Sequence, residues 1–412
     1  MTATRLKNMK CLVLVCDGMG DYPVAQLGGK TPLEIAKTPA MDALAAGGRV
    51  GLARTIPNGF TPASDVGNLS IVGYDPHQYY CGRGPLEAAN MGVELRPGDV
   101  AFRCNLVTAD GDTLVDYSAG HISSKEAETL IKAVNAALGN DRVRFYPGIQ
   151  YRHLMVVRDP SLADDLVKTK CFPPHDIMGW KIPEHLPQGP AAAFLKDLME
   201  RAKSVLARHE VNQVRIDLKE NPGNLIWLWG QGQRLAMPTF EERFGATGSI
   251  ISAVDLIKGI GRLIALDVLT GSGWTGYYDT NYVGKADAAL KSLKERDFVF
   301  VHVEAADEAG HNGHLREKVA AIENFDKLIV APLVEAFKRS KNYRILVIPD
   351  HLTSVEKRCH VADPVPFLVY GKGIEPNGVT TYGESSAKAG GWLVESASGL
   401  LPKLLTAETW QD

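Results

Sequence analysis

Three apolar runs of the sequence end in side chains that can bind a metal ion. Asp17 follows CLVLVC, Asp307 follows VFVHVEAA, and Asp350 and His351 follow RILVIP. Continuous apolar runs of this kind are typical of strands buried on both faces of a parallel sheet. Because the carboxyl ends of parallel strands share one edge, we expect these four side chains to converge there.

The histidine spacing supports a metal site at that edge. Asp307 and His311 are four residues apart, which places both side chains on one face of a helical turn. His360 follows His351 by nine residues in a loop-like stretch and can fold back to the same place. Singly, each Asp is more often a cap or turn residue and each His an ordinary polar residue. Together they favour a dinuclear site, for which carboxylates and imidazoles suit Mn2+ or Zn2+ better than Mg2+.

Ser64, within TPASDVGN, is the candidate nucleophile. A serine before an apolar run is also a common helix N-cap, and geometry alone leaves both interpretations open. At a helix N-terminus its hydroxyl would face free N–H groups that also favour a phosphate oxygen. A divalent ion bound to that oxygen would activate it at neutral pH.

Strand and helix patterns alternate along the chain, which predicts an α/β fold built on a mostly parallel sheet between helices. Strand-like runs include KCLVLVC, FVFVHV, RILVI and VPFLVYG. Helical periods cover residues 38–47, where Pro39 suits a first turn and Gly47 a stop, and residues 317–339.

The middle third predicts a second, smaller α/β or α+β domain. Strands are expected near AFRCNLVT and RHLMVVRD, and a helix through residues 190–209. The metal-site candidates lie on both sides of this region. We therefore expect a core from residues 1–100 and 236–412, with residues 101–235 inserted as a substrate-binding domain.

Composition narrows the class of protein. The 412 residues are 45% hydrophobic and 23% charged, which excludes a disordered chain. A net charge of -3 gives no broad basic surface for nucleic acid. No apolar run approaches the ~20 residues of a membrane helix, and the start of the chain lacks a signal-peptide core, so we expect a cytoplasmic protein without a membrane partner. The six cysteines form no CxxC pair, so neither a disulfide framework nor cysteine chemistry is expected.

Long segments of the sequence closely resemble the archaeal-type, cofactor-independent phosphoglycerate mutases of the alkaline phosphatase superfamily. They are DGMGDYP, GKTPLEIAKTPAMDALAAGG, PASDVGNLSIVGYDP, YYCGRGPLEAANMGVEL, VHVEAADEAGH and PDH. The resemblance extends over essentially the whole chain. It implies a metalloenzyme core, an inserted substrate domain that closes over it, and no need for bisphosphoglycerate.

The resemblance also implies roles for the candidate residues. All seven implied metal ligands are present: Asp17, Ser64, Asp350 and His351 for one ion, and Asp307, His311 and His360 for the other. Ser64 would take the phosphoryl group from 3-phosphoglycerate and return it to the 2-position of the retained glycerate. Lys285, in YYDTNYVGK, resembles a core lysine that the wider group places beside the nucleophile; the alternative is a solvated helix lysine.

Several residues are candidates for binding the substrate phosphate or carboxylate. Arginines suit this by bidentate hydrogen bonding, although surface ion pairing explains any single one, and turn or capping roles explain the others. These candidates are Arg83, Arg152, Arg234, His121, His175 and Asp176.

Other activities share the same core. A homoserine kinase-like phosphotransferase or a phosphohydrolase would use the same metal site and differ in the inserted domain. A non-catalytic scaffold has no reason to keep seven ligand residues. The substrate is therefore expected to be a small phosphorylated molecule, and the sequence leaves the oligomeric state open.

Overall fold

The computed structural model of the protein describes residues 9–340, 342–406 and 410. Most of the N-terminal stretch considered for a signal peptide, residues 1–8, therefore lies outside the described residues. The chain divides into two compact units. Unit 1 comprises Met1–Tyr80 and Met237–Asp412, and unit 2 comprises Cys81–Ala236.

Fifteen strands occur in the described residues: β1 (Lys10–Cys16), β2 (Arg49–Ala53), β3 (Asp99–Asp110), β4 (Thr113–Asp116), β5 (Val143–Ile149), β6 (Arg152–Arg158), β7 (Leu225–Gln233), β8 (Gly248–Ile251), β9 (Asp267–Leu269), β10 (Phe298–Val303), β11 (Tyr343–Ile348), β12 (Leu352–Ser354), β13 (Cys359–Val361), β14 (Val365–Gly371) and β15 (Leu393–Val394).

The α-helices of the described residues are α1 (Pro32–Ile35), α2 (Pro39–Gly47), α3 (Ser64–Ile71), α4 (Pro76–Tyr79), α5 (Arg83–Asn90), α6 (Ser124–Leu138), α7 (Ala163–Lys168), α8 (Ile182–His185), α9 (Ala192–Leu206), α10 (Glu210–Asp217), α11 (Phe240–Phe244), α12 (Asp255–Leu263), α13 (Tyr282–Ser292), α14 (Ala305–Asn312), α15 (Leu315–Phe325), α16 (Ala331–Phe337), α17 (Glu384–Ala389) and α18 (Leu400–Leu405). None of them is both long enough and apolar enough to cross a bilayer.

Unit 1 contains an eight-stranded mixed sheet in the order β15-β2-β14-β11-β1-β10-β8-β9. Strand β1 is central and pairs in parallel with both β10 and β11, as their buried apolar sequences predicted. Strands β8 and β9 extend the parallel part. The prediction of a mostly parallel sheet in an α/β fold is confirmed.

Strand β14 departs from the parallel pattern, since it runs antiparallel to both β11 and β2. The reason lies in the connection from β11, which holds the two-stranded hairpin β12–β13 and no crossover helix. A parallel return needs a crossover of about a dozen or more residues, usually a helix. The apolar run VPFLVYG alone does not reveal the strand direction.

The predicted helical period over residues 317–339 is interrupted by a π-helical turn. Helix α15 continues through the π turn Asp326–Val330 into α16. The carboxylate of Asp326 accepts hydrogen bonds from the backbone N–H groups of Ala40 and Met41, at 3.1 and 2.7 Å. It thereby caps helix α2, whose own N-cap, Thr38, makes no side-chain cap.

Unit 2 is built on an antiparallel sheet in which β3 pairs with β4, β6 and β7, and β5 pairs with β6. Helices α6 and α9 pack against each other and on this sheet. Unit 2 starts at Cys81, well before the predicted residue 101, because helix α5 packs on β3 and β7. The predicted end at residue 235 falls beside Ala236.

A partly buried carboxylate in unit 1 makes stability depend on pH. Glu384 accepts hydrogen bonds from the Asp21 N–H and the Thr31 hydroxyl, and burial raises the pKa of Glu384 to about 7. Between pH 4.5 and 7 the folded protein therefore holds this proton while the unfolded chain has lost it. Through this group, the free energy of unfolding should fall by up to about 3 kcal/mol as pH rises across that range.

Denaturant titrations of wild-type protein and Glu384→Gln at pH 5 and pH 7.5 test this expectation. The variant should lose less stability between the two pH values than wild type. An identical loss in both proteins would show that Glu384 does not carry this proton.

Candidate metal centre

Two acidic residues meet where the neighbouring strands β1 and β11 end. Asp17 follows β1 directly and Asp350 follows β11 after one residue, as the sequence predicted. The Gly18 N–H donates to Asp350 Oδ1 at 3.2 Å, and Asn68 Nδ2 donates to Asp350 Oδ2 at 2.7 Å. Ligand atoms of Asp17, Asp350 and His351 all lie within 4.8 Å of one another.

The second predicted ligand set lies against the first. Asp307 lies in the first turn of α14 and His311 in its last, with His311 Nε2 3.5 Å from Asp307 Oδ2. His360 Nε2 lies 3.3 Å from Asp307 Oδ1 and 2.7 Å from His311 Nε2. Donor atoms of Asp307, His351 and His360 also lie within 4.8 Å of one another, so His351 belongs to both groups.

Backbone carbonyls orient two of these imidazoles. His360 lies on β13, paired with Thr353 of β12, and its Nδ1 faces the Pro62 carbonyl at 3.3 Å. His311 Nδ1 faces the Arg358 carbonyl at 3.1 Å. Each ring therefore directs Nε2 towards Asp307, which is how second-shell contacts present histidines to a metal.

The charge state of the centre fits a bound cation. Both carboxylate oxygens of Asp17 are fully buried and accept no hydrogen bond from the described residues. Burial raises the pKa of Asp17 well above its usual range, and the nearby charges of Asp350 and Asp307 raise it further. Imidazole nitrogens of His302 and His351 lie 3.1 and 3.5 Å from these oxygens without forming a hydrogen bond. A buried carboxylate without hydrogen-bond donors is costly, and a divalent cation would remove that cost. The donor set of carboxylate oxygens and imidazole nitrogens matches Mn2+ or Zn2+.

The pKa of Asp307 is shifted in the opposite direction to that of Asp17, because histidines surround its carboxylate. Burial alone would raise the pKa of Asp307, but the hydrogen bond from His360 and the charges of His360, His311 and His351 hold it below its usual range. Burial lowers the pKa of His351 well below its usual value, and His360 adds to this effect. A neutral imidazole beside an ionised carboxylate is the state in which both bind metal.

Ser64 lies beside this centre. It is the first residue of α3, and Ala63 occupies the N-cap position. Ser64 is therefore not the N-cap of this helix. Its Oγ lies 3.1 Å from His351 Nε2. Helix α3 approaches Asp350 closely at Gly67, where a Cβ would lie 2.4 Å from the Asp350 carbonyl oxygen. This close approach brings the hydroxyl to the carboxylates.

Lys285 is fully buried on α13, which rules out the alternative of a solvated helix lysine. Its Nζ donates to the His302 carbonyl at 3.1 Å, and His302 Nε2 in turn lies 3.1 Å from Asp17 Oδ2. Burial lowers the pKa of Lys285 to about 8, opposed by the charge of Glu304. The hydrogen bond of Lys285 is therefore made to the backbone of β10, the neighbour of β1, rather than to Ser64.

Several residues of the centre escaped the sequence prediction. Glu304 offers a carboxylate oxygen near those of Asp17 and Asp307. His302 is a fully buried polar residue next to the end of β10, and a histidine within an apolar run is a signal that the sequence contains. Asn68 and Thr353 hold candidate ligands by hydrogen bonds and carry no signal of their own in the sequence.

Four of the predicted substrate contacts gather around Trp229 and Tyr151 in unit 2. The Arg83 guanidinium lies over the Trp229 ring at 5.2 Å, and the His175 ring centroid is also 5.2 Å from it. Asp176 pairs with His175 at 3.6 Å. Arg152 lies over Tyr151 at 5.5 Å.

Arg103 on β3 joins this group, although the sequence analysis did not select it. Its guanidinium lies over the Trp229 ring, which Arg83 also contacts, at 4.8 Å. Burial lowers the pKa of Arg103, and the charges of Arg83 and Arg152 lower it further while Glu87 opposes them. The Nε atoms of Arg103 and Arg152 are buried without a hydrogen-bond partner in the described residues. We call Arg83, Arg103 and Arg152 the arginine cluster.

Two predicted contacts lie outside the arginine cluster. Arg234 is exposed just beyond the end of β7, and His121 is exposed in the loop between β4 and α6. His121 adopts a left-handed backbone conformation with φ 50°, as do its neighbours Ala119 and Gly120. Their roles in binding substrate stay predictions.

Comparison with known proteins shows which family the chain belongs to. Residues 45–212 match the family model described as 2,3-bisphosphoglycerate-independent phosphoglycerate mutase. A protein of that name from Methanosarcina barkeri is 52% identical over 97% of this chain and 100% of its own. One from Geobacter sulfurreducens, named as a probable mutase of this kind, is 50% identical over 96% of this chain and 100% of its own.

Solved structures show the same fold. A protein from Pyrococcus horikoshii superposes with a TM-score of 0.82 at 29% identity, covering 98% of this chain and 99% of that one. The cofactor-independent phosphoglycerate mutase from Thermoplasma acidophilum gives a TM-score of 0.65 at 29% identity, covering 96% and 98%. With half of its residues identical to those of these relatives over nearly its full length, the chain belongs to the family of 2,3-bisphosphoglycerate-independent phosphoglycerate mutases.

Proposed function

We propose that this enzyme interconverts 3-phosphoglycerate and 2-phosphoglycerate through a phosphoserine at Ser64. The observation that carries the proposal is the placement of the Ser64 hydroxyl beside His351, whose Nε2 also lies 3.5 Å from the buried carboxylate of Asp17, which accepts no hydrogen bond from the described residues. Asp17, Asp350 and His351, with Ser64, would hold one divalent cation. Asp307, His311 and His360 would hold the other. Such cations, when bound, supply charge neutralisation for the phosphoryl group and a lower pKa for the hydroxyl.

The residues of the chain then perform the transfer in two halves. Ser64 Oγ attacks phosphorus, so that the Oγ–P bond forms while the bond from phosphorus to the C3 oxygen of the substrate breaks, and the serine proton passes overall to that C3 oxygen. The glycerate is retained, and its C2 oxygen attacks phosphorus while the Oγ–P bond breaks. The C2 hydroxyl proton passes overall to Ser64 Oγ, and 2-phosphoglycerate is released. The N-terminal amides of α3, which begins at Ser64, would stabilise negative charge on the phosphoryl oxygens in both halves.

The arginine cluster is proposed to bind the carboxylate or phosphate of the substrate. Guanidinium groups are the side chains best suited to bidentate recognition of such anions. Arg83 and Arg103 share the Trp229 ring, and the charge of Arg152 also acts on Arg103. Glu87, 3.5 Å from Arg103, offsets part of this positive charge, and the buried Nε donors of Arg103 and Arg152 are unused. An anion would stabilise this arrangement. The inserted domain would thereby select a phosphoglycerate.

Replacing one arginine of the cluster tests this assignment. Arg152→Met should raise KM for 3-phosphoglycerate about 10- to 100-fold, since a charge-assisted bidentate contact contributes roughly 1.5 to 3 kcal/mol. Steady-state kinetics of the coupled reaction measure it. Arg144→Met, which removes a half-exposed arginine on β5 of the same unit, is the matched control and should leave KM unchanged. Equal KM values for the two variants would remove the cluster from substrate binding.

Phosphorus NMR distinguishes the proposed activity from its relatives. Protein loaded with Mn2+ is incubated with 3-phosphoglycerate, and separately with homoserine and ATP. The proposal expects a 2-phosphoglycerate resonance without added bisphosphoglycerate. Free phosphate as the only product, or phosphohomoserine in the second reaction without any 2-phosphoglycerate in the first, would contradict it.

A further inference from the structure

Lys318 is a fully buried cation near the start of α15, at its fourth residue. Its Nζ donates to the Gly20 carbonyl at 3.1 Å, to Asp21 Oδ2 at 2.9 Å and to the Thr353 carbonyl. All three protons of the ammonium group therefore have acceptors. None of these contacts involves substrate or a candidate metal ligand directly.

The three acceptors belong to the two segments that carry the metal centre. Gly20 and Asp21 lie in the loop that follows Asp17, and Thr353 lies on β12 between His351 and the strand of His360. The two segments are also joined directly, because the Thr353 N–H donates to the Gly20 carbonyl at 3.1 Å. Asp21 Oδ2 accepts from the Val355 N–H at 3.0 Å. Lys318 thus ties the loop after β1 to β12.

Thr353 transmits this arrangement to two candidate ligands. Its hydroxyl donates to Asp307 Oδ1 and lies 3.1 Å from His351 Nδ1. Because the single hydroxyl proton goes to Asp307, the contact with His351 requires Nδ1–H as the donor. His351 Nε2 then carries the lone pair that faces Ser64 and the carboxylates. This is the tautomer that a metal ligand needs.

We propose that Lys318 is a positioning residue for the metal centre, acting through Thr353 to fix the geometry of Asp307 and the tautomer of His351. The inference rests on the proposed function, since it concerns the residues that would hold the cations. Stability alone does not explain a buried ion pair in this place, because apolar residues of similar volume are often as stabilising. Fixed geometry at a centre assembled from three separate segments does explain it.

A charge-neutral replacement of the pair tests the inference without leaving a lone buried charge. In the double variant Lys318→Met/Asp21→Asn, calorimetric titration of the metal-free protein with Mn2+ should show about 10- to 100-fold weaker binding, the usual cost of losing a second-shell partner. The kcat at saturating Mn2+ should also fall, with KM for 3-phosphoglycerate nearly unchanged. Thr353→Val, an isosteric change that removes only the hydroxyl, should weaken Mn2+ binding similarly.

Arg344→Met is the matched control. Arg344 is also a buried cation of unit 1 and donates to the carbonyls of Lys372, Lys403, Leu404 and Thr406, at the end of β11 away from Asp350. Its loss should lower the melting temperature and leave the Mn2+ affinity of the folded protein unchanged.

The outcomes separate this inference from the proposed function. Wild-type protein that binds Mn2+ with the same affinity as both the double variant and Thr353→Val would overturn the positioning role and leave the proposed function standing. Wild-type protein that binds no divalent cation would overturn both. Weaker binding in Thr353→Val with the double variant unchanged would assign the positioning to Thr353 alone and overturn the role of Lys318.

Discussion

Ser64→Ala is expected to lower mutase activity by at least about a thousandfold, because no other group takes over the covalent step when a nucleophile is removed. The fold and the Mn2+ content should be nearly unchanged, since Ser64 does not cap α3 and the other ligand residues remain. Production of 2-phosphoglycerate, followed by a coupled assay or by phosphorus NMR, measures the loss.

Ser70→Ala is the matched control for this prediction. Ser70 is a buried serine of the same helix, and its hydroxyl donates to the Val66 carbonyl. Its removal should cost a little stability and leave turnover intact. Retained activity in Ser64→Ala at the level of Ser70→Ala would remove Ser64 from the mechanism.

Removal of divalent cations is expected to have the second largest effect. Dialysis against a chelator should abolish turnover and lower the melting temperature, and Mn2+ should restore both. The stabilisation follows from ligand linkage and amounts to about 3 kcal/mol when free Mn2+ exceeds its dissociation constant a hundredfold. Full activity in excess chelator would contradict a metal-dependent mechanism.

The effect of Asp17→Asn on the free energy of unfolding should depend on whether metal is bound. In the metal-free protein the change removes a buried carboxylate that accepts no hydrogen bond from the described residues and lies beside Asp350, so the free energy of unfolding should rise by about 1 to 3 kcal/mol. With Mn2+ present the stabilisation by metal should be much smaller than in wild type. Asp326→Asn serves as the control, because the Asp326 carboxylate already caps α2 and its loss should destabilise the protein under both conditions.

The residues that sequence reasoning placed correctly are those whose position follows from a simple geometric rule. Asp17 and Asp350 end adjacent parallel strands, and Asp307 and His311 are one helical turn apart on α14, as their spacing predicted. Both results come from local periodicity combined with the shared edge of a parallel sheet. The convergence of these candidate ligands follows from those two rules, and their role as metal ligands stays a prediction.

The features that were missed depend on contacts between distant segments. Lys318 looks like any polar residue of an amphipathic helix, and only the packed structure brings it to Gly20 and Thr353. Arg103 lies within an apolar strand pattern and becomes a candidate through its neighbours across the sheet. The direction of β14 depended on the type of connection, a hairpin without a crossover helix, rather than on the strand sequence.

The exposed side chains show a further limit. His121 and Arg234 were selected by residue type, and the structure leaves both outside the arginine cluster. Residue type identifies groups that can bind phosphate, but it does not say which of them are close together. The arginine cluster was therefore only partly predictable, through Arg83 and Arg152.

Anomalous diffraction from crystals grown with Mn2+ tests the central claim most directly. The account predicts two Mn2+ peaks near Ser64, each within about 2.5 Å of its donor atoms. One should lie among Asp17, Asp350, His351 and the Ser64 hydroxyl, and the other among Asp307, His311 and His360. No peak at these side chains, or a single ion that leaves one set of donors without a metal at saturating Mn2+, would contradict the dinuclear centre.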